Sequence, residues 1–166
     1  MAELTALESK IGEVLGLAMA AQDATRKVTK LVEQEGEHDD LAQTLQRMAQ
    51  EAKETQERTA ELAAELEGKK TAILEKARET KQEATEMMST YLGDESDGLD
   101  GFEFLTMAEA GEVGHWAVLG KLNESAQENA ISELVEWALP IQERHFAAVK
   151  DGSLKLAGEK DPYEES

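Results

Sequence analysis

Between Leu105 and Leu119 the sequence LTMAEAGEVGHWAVL sets two glutamates and a histidine among apolar residues. At about 100° per residue, Leu105, Ala108, Glu109, Glu112, His115, Trp116 and Leu119 fall in one helical arc, so two carboxylates and an imidazole point where the leucines point. An ionised carboxylate buried without a partner costs several kcal/mol. The set therefore needs a cation, a shared proton or a dense hydrogen-bond network. Further along, ELVEWALPIQERHFAAV gives another helix an inner face of Ile131, Leu134, Ala138, Ile141, His145 and Val149. Gln142 sits at the edge of that face, and Glu143 points away.

Carboxylates and imidazoles without thiolates suit Fe, Mn or Zn rather than copper(I) or iron–sulfur chemistry. The 166 residues include no cysteine, which excludes disulfides, thiolate catalysis and sulfur ligands. With 36 acidic against 17 basic residues the net charge is −19. That balance disfavours nucleic acid and anionic membranes and favours cations or basic partners. No apolar run is long enough to span a bilayer, and the first residues lack a basic stretch followed by an apolar one. The expectation is a cytoplasmic chain folding as a single domain.

The elements that must position these groups are all helical. Ala, Glu, Lys, Gln and Leu dominate, prolines occur only at Pro140 and Pro162, and no stretch alternates as a strand would. Apolar spacings of three and four residues predict helices over about 4–33, 38–67, 70–92, 102–122 and 126–150, with a polar C-terminal tail at 151–166. EQEGEHDD makes a tight acidic turn at Gly36. Gly68 either breaks the run from His38 to Leu92 or merely interrupts it. GDESDGLDG, 93–101, reads as a solvated connector, with calcium binding the alternative, although its acids and glycines do not keep the spacing of a calcium loop. Ser125 with Glu128 matches a capping box that would start the last helix.

Folding the last two helices together about residues 123–125 sets Glu109 opposite Pro140, within reach of Gln142 and His145, and Glu112 opposite Trp137. The first hairpin, turning at Gly36, sets Gln22 level with Glu51. Each hairpin then carries a polar layer at mid-height.

Two helical hairpins joined by a long connector, with EAGEVGHWAVLGKL and ELVEWALPIQERHFAAV in the second, resemble the ferritin-like superfamily, most of all its small bacterial stress-associated, rubrerythrin-like branch. The resemblance implies a four-helix bundle with an additional crossover helix between the hairpins. It also implies a di-metal site built from one glutamate on each of two helices and a Glu-x-x-His on each of the other two. Carried onto this chain, the metal ligands are Glu51, Glu109, Glu112, His115 and His145, with Gln142 where a glutamate is expected and Gln22 at the place of the first-helix carboxylate. Two Fe ions are the first expectation, with oxidation of Fe(II) by O₂ or peroxide; Mn, Zn or no metal are the alternatives. A homodimer is the expected assembly.

Two other readings fit the same residues. The run from His38 to Leu92 could be one continuous helix in a homodimeric antiparallel coiled coil, with the last hairpin as a docking unit and the inward polar groups fixing specificity. Alternatively the chain is a ferritin-like fold that has lost its metal, Gln22 and Gln142 being neutral replacements.

Overall fold

The computed structural model describes residues 2–166. Five helices, α1 (Ala6–Glu35), α2 (Asp39–Glu65), α3 (Lys70–Tyr91), α4 (Gly98–Ala126) and α5 (Asn129–Gly158), account for the fold, and no strand occurs among the described residues. Local chemistry fixes their ends. Thr5 and Glu8 form a capping box at the start of α1, and Asp97 and Asp100 form another at the start of α4, so two N–H groups at each start find side-chain acceptors. Gly36, at φ 76°, ends α1 in the left-handed conformation that glycine adopts without strain. Gly68, at φ 74°, lies in the turn between α2 and α3. The chain is therefore broken between Glu65 and Lys70, and the continuous helix of the coiled-coil reading does not form.

Three other expectations are corrected. Helix α4 begins at Gly98, within the expected connector, because the Asp97 and Asp100 caps reach each other there. At its other end α4 runs on to Ala126, so Ser125 caps nothing. Gln127 turns the chain at φ 54°, and Asn123 ties the turn by donating to the Glu128 carbonyl and to Ser132 Oγ while accepting from Glu128 N–H. Helix α5 also extends through the expected tail to Gly158, because Gly152 lets its backbone lie against the Phe102 ring and Leu156 is buried beyond it.

Helix α1 packs against α2, α3 and α4, while α5 packs on α4 and touches α2. Opposed pairs give the directions. Glu35 accepts from Gly98 N–H while Lys10 meets His115, so α1 and α4 are antiparallel. Glu51 meets His145 while Asp40 meets Lys155, so α2 and α5 are antiparallel too. Helix α3 runs parallel to α1, its Lys76 beside Gly12 and Leu92 beside Lys27. It thus returns the chain to the end from which α4 can start.

Two apolar cores form at opposite ends. One joins Val28, Val32, Leu41, Leu45, Phe102, Leu105 and Val149; the other joins Ile11, Val14, Ile73, Trp116, Leu119 and Ile131. Between them α1 carries small residues, and α3 docks on the α1 backbone at Gly12 and Gly16. A Cβ added at Gly16 would stand 2.3 Å from the Ala77 carbonyl oxygen. Gly16→Ala should therefore destabilise the fold by about 2 kcal/mol, since backbone and not a flexible side chain must move. Gly114→Ala, where nothing lies within 4 Å, should stabilise it by up to about 1 kcal/mol through helix propensity. Urea midpoints of the two variants check the pair; equal shifts would show that α3 does not depend on this close approach.

Candidate functional site

The layer between the two cores is polar. Glu109 and Glu112 from α4 and Gln142 and His145 from α5 are all buried, Gln142 completely. Thr25, Thr29, Thr55 and Thr59 share the interior, but each donates its hydroxyl to the carbonyl four residues earlier in its own helix. The one proton of each of these hydroxyls is thereby committed within its own helix. Gln22 is likewise engaged, donating to the Ala18 carbonyl and to Gln56 Oε1.

A chain of polar contacts leads inward from the surface. Arg144, half exposed, places Nη1 and Nη2 each 2.8 Å from the two oxygens of Glu51, a bidentate fork. Hydrogen bonding to Arg144 holds the Glu51 carboxyl below the usual range, with a further contribution from His145. Because Glu51 is ionised and only accepts, the contact of 3.1 Å between His145 Nε2 and Glu51 Oε1 is an N–H donated by the imidazole. Burial lowers the His145 pKa, and the Glu51 carboxylate only partly opposes this. A neutral ring with its proton on Nε2 leaves a bare lone pair on Nδ1. That atom faces Glu109 Oε2 at 3.8 Å.

Glu109 is the inner end of this chain. Burial pushes its carboxyl up to about 8, and Glu112 is raised well above its ordinary value by burial and then by repulsion from Glu109. Two carboxyls this close cannot both ionise in a dry layer. Burial thus favours the protonated form of both. Glu109 Oε2 has no hydrogen-bond partner, and neither does the amide oxygen or nitrogen of Gln142. Three buried polar atoms without partners in one layer is an expensive arrangement, and such atoms mark a place where a ligand or ion would find unmet bonds.

Helix periodicity identifies Glu109, Glu112, Gln142 and His145 as inward, and all four are buried, with His145 Nδ1 3.8 Å from Glu109 Oε2. The register differs in detail. Because the α4–α5 turn lies at Gln127, His145 rather than Pro140 stands beside Glu109. Glu51 joins the cluster through α5, while Gln22 meets Gln56 instead. His115 is a correction. Its side chain is 40% exposed, with Nδ1 3.2 Å from Lys10 Nζ and 3.5 Å from Glu13 Oε2. Glu112 is buried while His115 stands at the bundle surface. Arg144 is the functional neighbour that sequence reasoning missed; a charged residue preceding an inward histidine on the flank facing α2 was the available signal. Among the described residues no three His, Asp or Glu side chains are arranged to hold a metal ion together.

The same acids line a groove. Helices α3 and α4 both pack on α1 but scarcely touch each other, and the space between them is a partly open cavity of about 430 Å³. Its walls are mostly carbon, from Leu17, Ala21, Ala84, Met88, Phe104 and Ala108, with Glu109 and Glu112 reaching it from α4. No helix of the described residues is long and apolar enough to cross a membrane. No protein-family model, curated protein or solved structure matches the chain.

The protonation of the buried acids predicts how stability follows pH. A carboxyl raised in the folded state contributes stability that is fully present below its unfolded pKa, near 4.5, and is lost as pH rises through the folded value of about 8. Wild-type stability should therefore fall between pH 5 and pH 8, and Glu109→Gln, a neutral isostere, should flatten that fall. Chemical denaturation across this range checks it; an unchanged slope would show that Glu109 is ionised in the folded protein. Gln142→Leu should raise stability by about 1 kcal/mol at any pH by removing two unpartnered polar atoms.

Proposed function

We propose that α1, α2, α4 and α5 form a ferritin-like four-helix bundle with α3 as the crossover, and that its central layer is a proton-loaded ligand site rather than a two-iron oxidase centre. The ring of antiparallel neighbours and the parallel course of α3 along α1 support the architecture. The observation that carries the functional reading is the Arg144–Glu51–His145 chain. The helix-two carboxylate that would serve a metal pair already has both oxygens in a guanidinium fork. His115 is turned to Lys10 and Glu13 at the bundle surface. The residues present do not fit a two-ion centre, and no oxidase step follows from them. The chain is then a non-catalytic binding protein, with Glu109 and Glu112 as the groups that meet the ligand.

A second reading is supported by the unpartnered Glu109 Oε2 facing His145 Nδ1. One divalent ion drawn by Glu109, Glu112 and His145 would displace the carboxyl protons, so its affinity would rise with pH. Mn, Zn or a single Fe would suit these donors, after Glu112 turned toward the histidine.

Titration with Fe(II), Mn(II) and Zn(II), read by calorimetry and by elemental analysis, tests both readings. We expect no more than one divalent ion per chain and no acceleration of Fe(II) oxidation by oxygen. Arg144→Gln, which frees Glu51, should tighten any metal binding that occurs. Two ions per chain with accelerated Fe(II) oxidation would overturn the proposal and restore the oxidase reading.

A further inference from the structure

The groove between α1, α3 and α4 has the volume of a small-molecule site and the composition of one: apolar walls with a few polar groups at the floor. What distinguishes it is the charge of those groups. Glu109 and Glu112 are buried in its floor, and Glu13 and Glu83 stand along its sides. Glu109 Oε2 is a buried atom without a hydrogen-bond partner, whereas Glu13 is ion-paired with Lys10 and lies 3.5 Å from His115 Nδ1. The lysine that lines the groove, Lys76, is paired with Glu79 at 3.7 Å. The polar lining carries four acids, Glu13, Glu83, Glu109 and Glu112, against Lys76, His115, Thr80 and Thr85, a balance that disfavours an anion. A neutral apolar molecule would fill the walls but leave the floor unmet. A cation with an apolar body satisfies both, and the net charge of −19 favours its approach.

We propose that this groove binds an alkylammonium compound, its chain along the alanine and methionine wall and its ammonium group paired with Glu109. The assignment rests on the reading above that the buried acids are not committed to a metal pair. Glu109 is the partner because its Oε2 is a buried atom without a hydrogen-bond partner. The proton balance is explicit. The ammonium ion and the Glu109 carboxylic acid give an ion pair, and the carboxyl proton is released to solvent. His145 Nδ1, beside Glu109, and Glu51, hydrogen-bonded to Nε2 near the surface, offer that proton a way out. Affinity should accordingly rise with pH, by up to about tenfold per unit for one proton released, until Glu109 is ionised in the empty groove. The titratable and charged groups that face it are Glu13 from α1, Lys76 and Glu83 from α3, Glu112 and His115 from α4, and His145 from α5.

Calorimetry on the full chain with octylamine, octanol and octanoate, in two buffers of different ionisation enthalpy, tests the proposal. We expect octylamine to bind at neutral pH with release of about one proton per ligand, and octanol and octanoate to bind far more weakly. Glu109→Gln, which keeps the shape of the protonated side chain, should abolish proton release and weaken octylamine binding by roughly tenfold or more. Ala84→Phe, which fills the groove from α3 without touching the acids, should block octylamine while circular dichroism shows unchanged helix content. Equal affinity for octanol or octanoate, proton release surviving Glu109→Gln, or no octylamine binding would each overturn the inference. If octylamine fails while metal stoichiometry stays at or below one, only the groove assignment falls. Two metal ions per chain would instead remove the reading on which it rests.

Discussion

Two carboxyl groups held in a dry layer between two apolar cores are the constraint to which the rest of this molecule answers. Glu109 and Glu112 are almost wholly withdrawn from solvent, and repulsion between them adds to the effect of burial, so the protonated form of each is favoured. Protonation in turn decides their surroundings. His145 has no carboxylate on its inner side to stabilise a positive ring, so burial wins and the imidazole stays neutral. The remaining ionic pairing moves outward to Glu51 and Arg144, where solvent tempers its cost. The interior is thereby graded from charged at the surface to neutral at the centre.

The helices that hold this layer depend on small residues. Gly12 and Gly16 bring α3 onto the α1 backbone, and Gly152 brings α5 onto Phe102. Ala20, Ala21 and Ala24 on α1, with Ala84 and Ala108 facing them, leave the space beside the acids open. The close approach at one end of α3 and the gap at the other follow from the same run of small side chains. Buried side chains on α3 are confined to Ala72, Ile73, Ala77 and Thr80; beyond them it contributes a wall without a core.

Much of this was legible in the sequence because it is encoded locally. The five helices follow from apolar periodicity, and the burial of Glu109, Glu112, Gln142 and His145 follows from their spacing to neighbouring leucines. What periodicity cannot supply is the neighbour on each flank. Glu109 and His115 lie at opposite edges of the same arc, each about 60° from Glu112. Helix α5 covers one edge and places His145 there, while the other edge faces the open side beside Lys10 and Glu13. The α4–α5 register was similarly invisible, because Asn123 ties a turn that Ser125 and Glu128 were equally equipped to cap. The extension of α5 past Asp151 hinged on Gly152 fitting beneath Phe102, a contact between residues far apart in the chain.

The uneven seating of α3 bears on how the molecule moves. Its first half is locked to α1 backbone, and its far end is held by buried Leu92 and by Tyr91 against Phe104. The span between, residues 81–90, includes no buried side chain. Such a segment opens at a small fraction of the free energy needed to unfold the whole chain. Amide protons there would exchange with solvent well before those of α1 or α4, and the width of the space beneath could change by bending one helix while both cores stay intact.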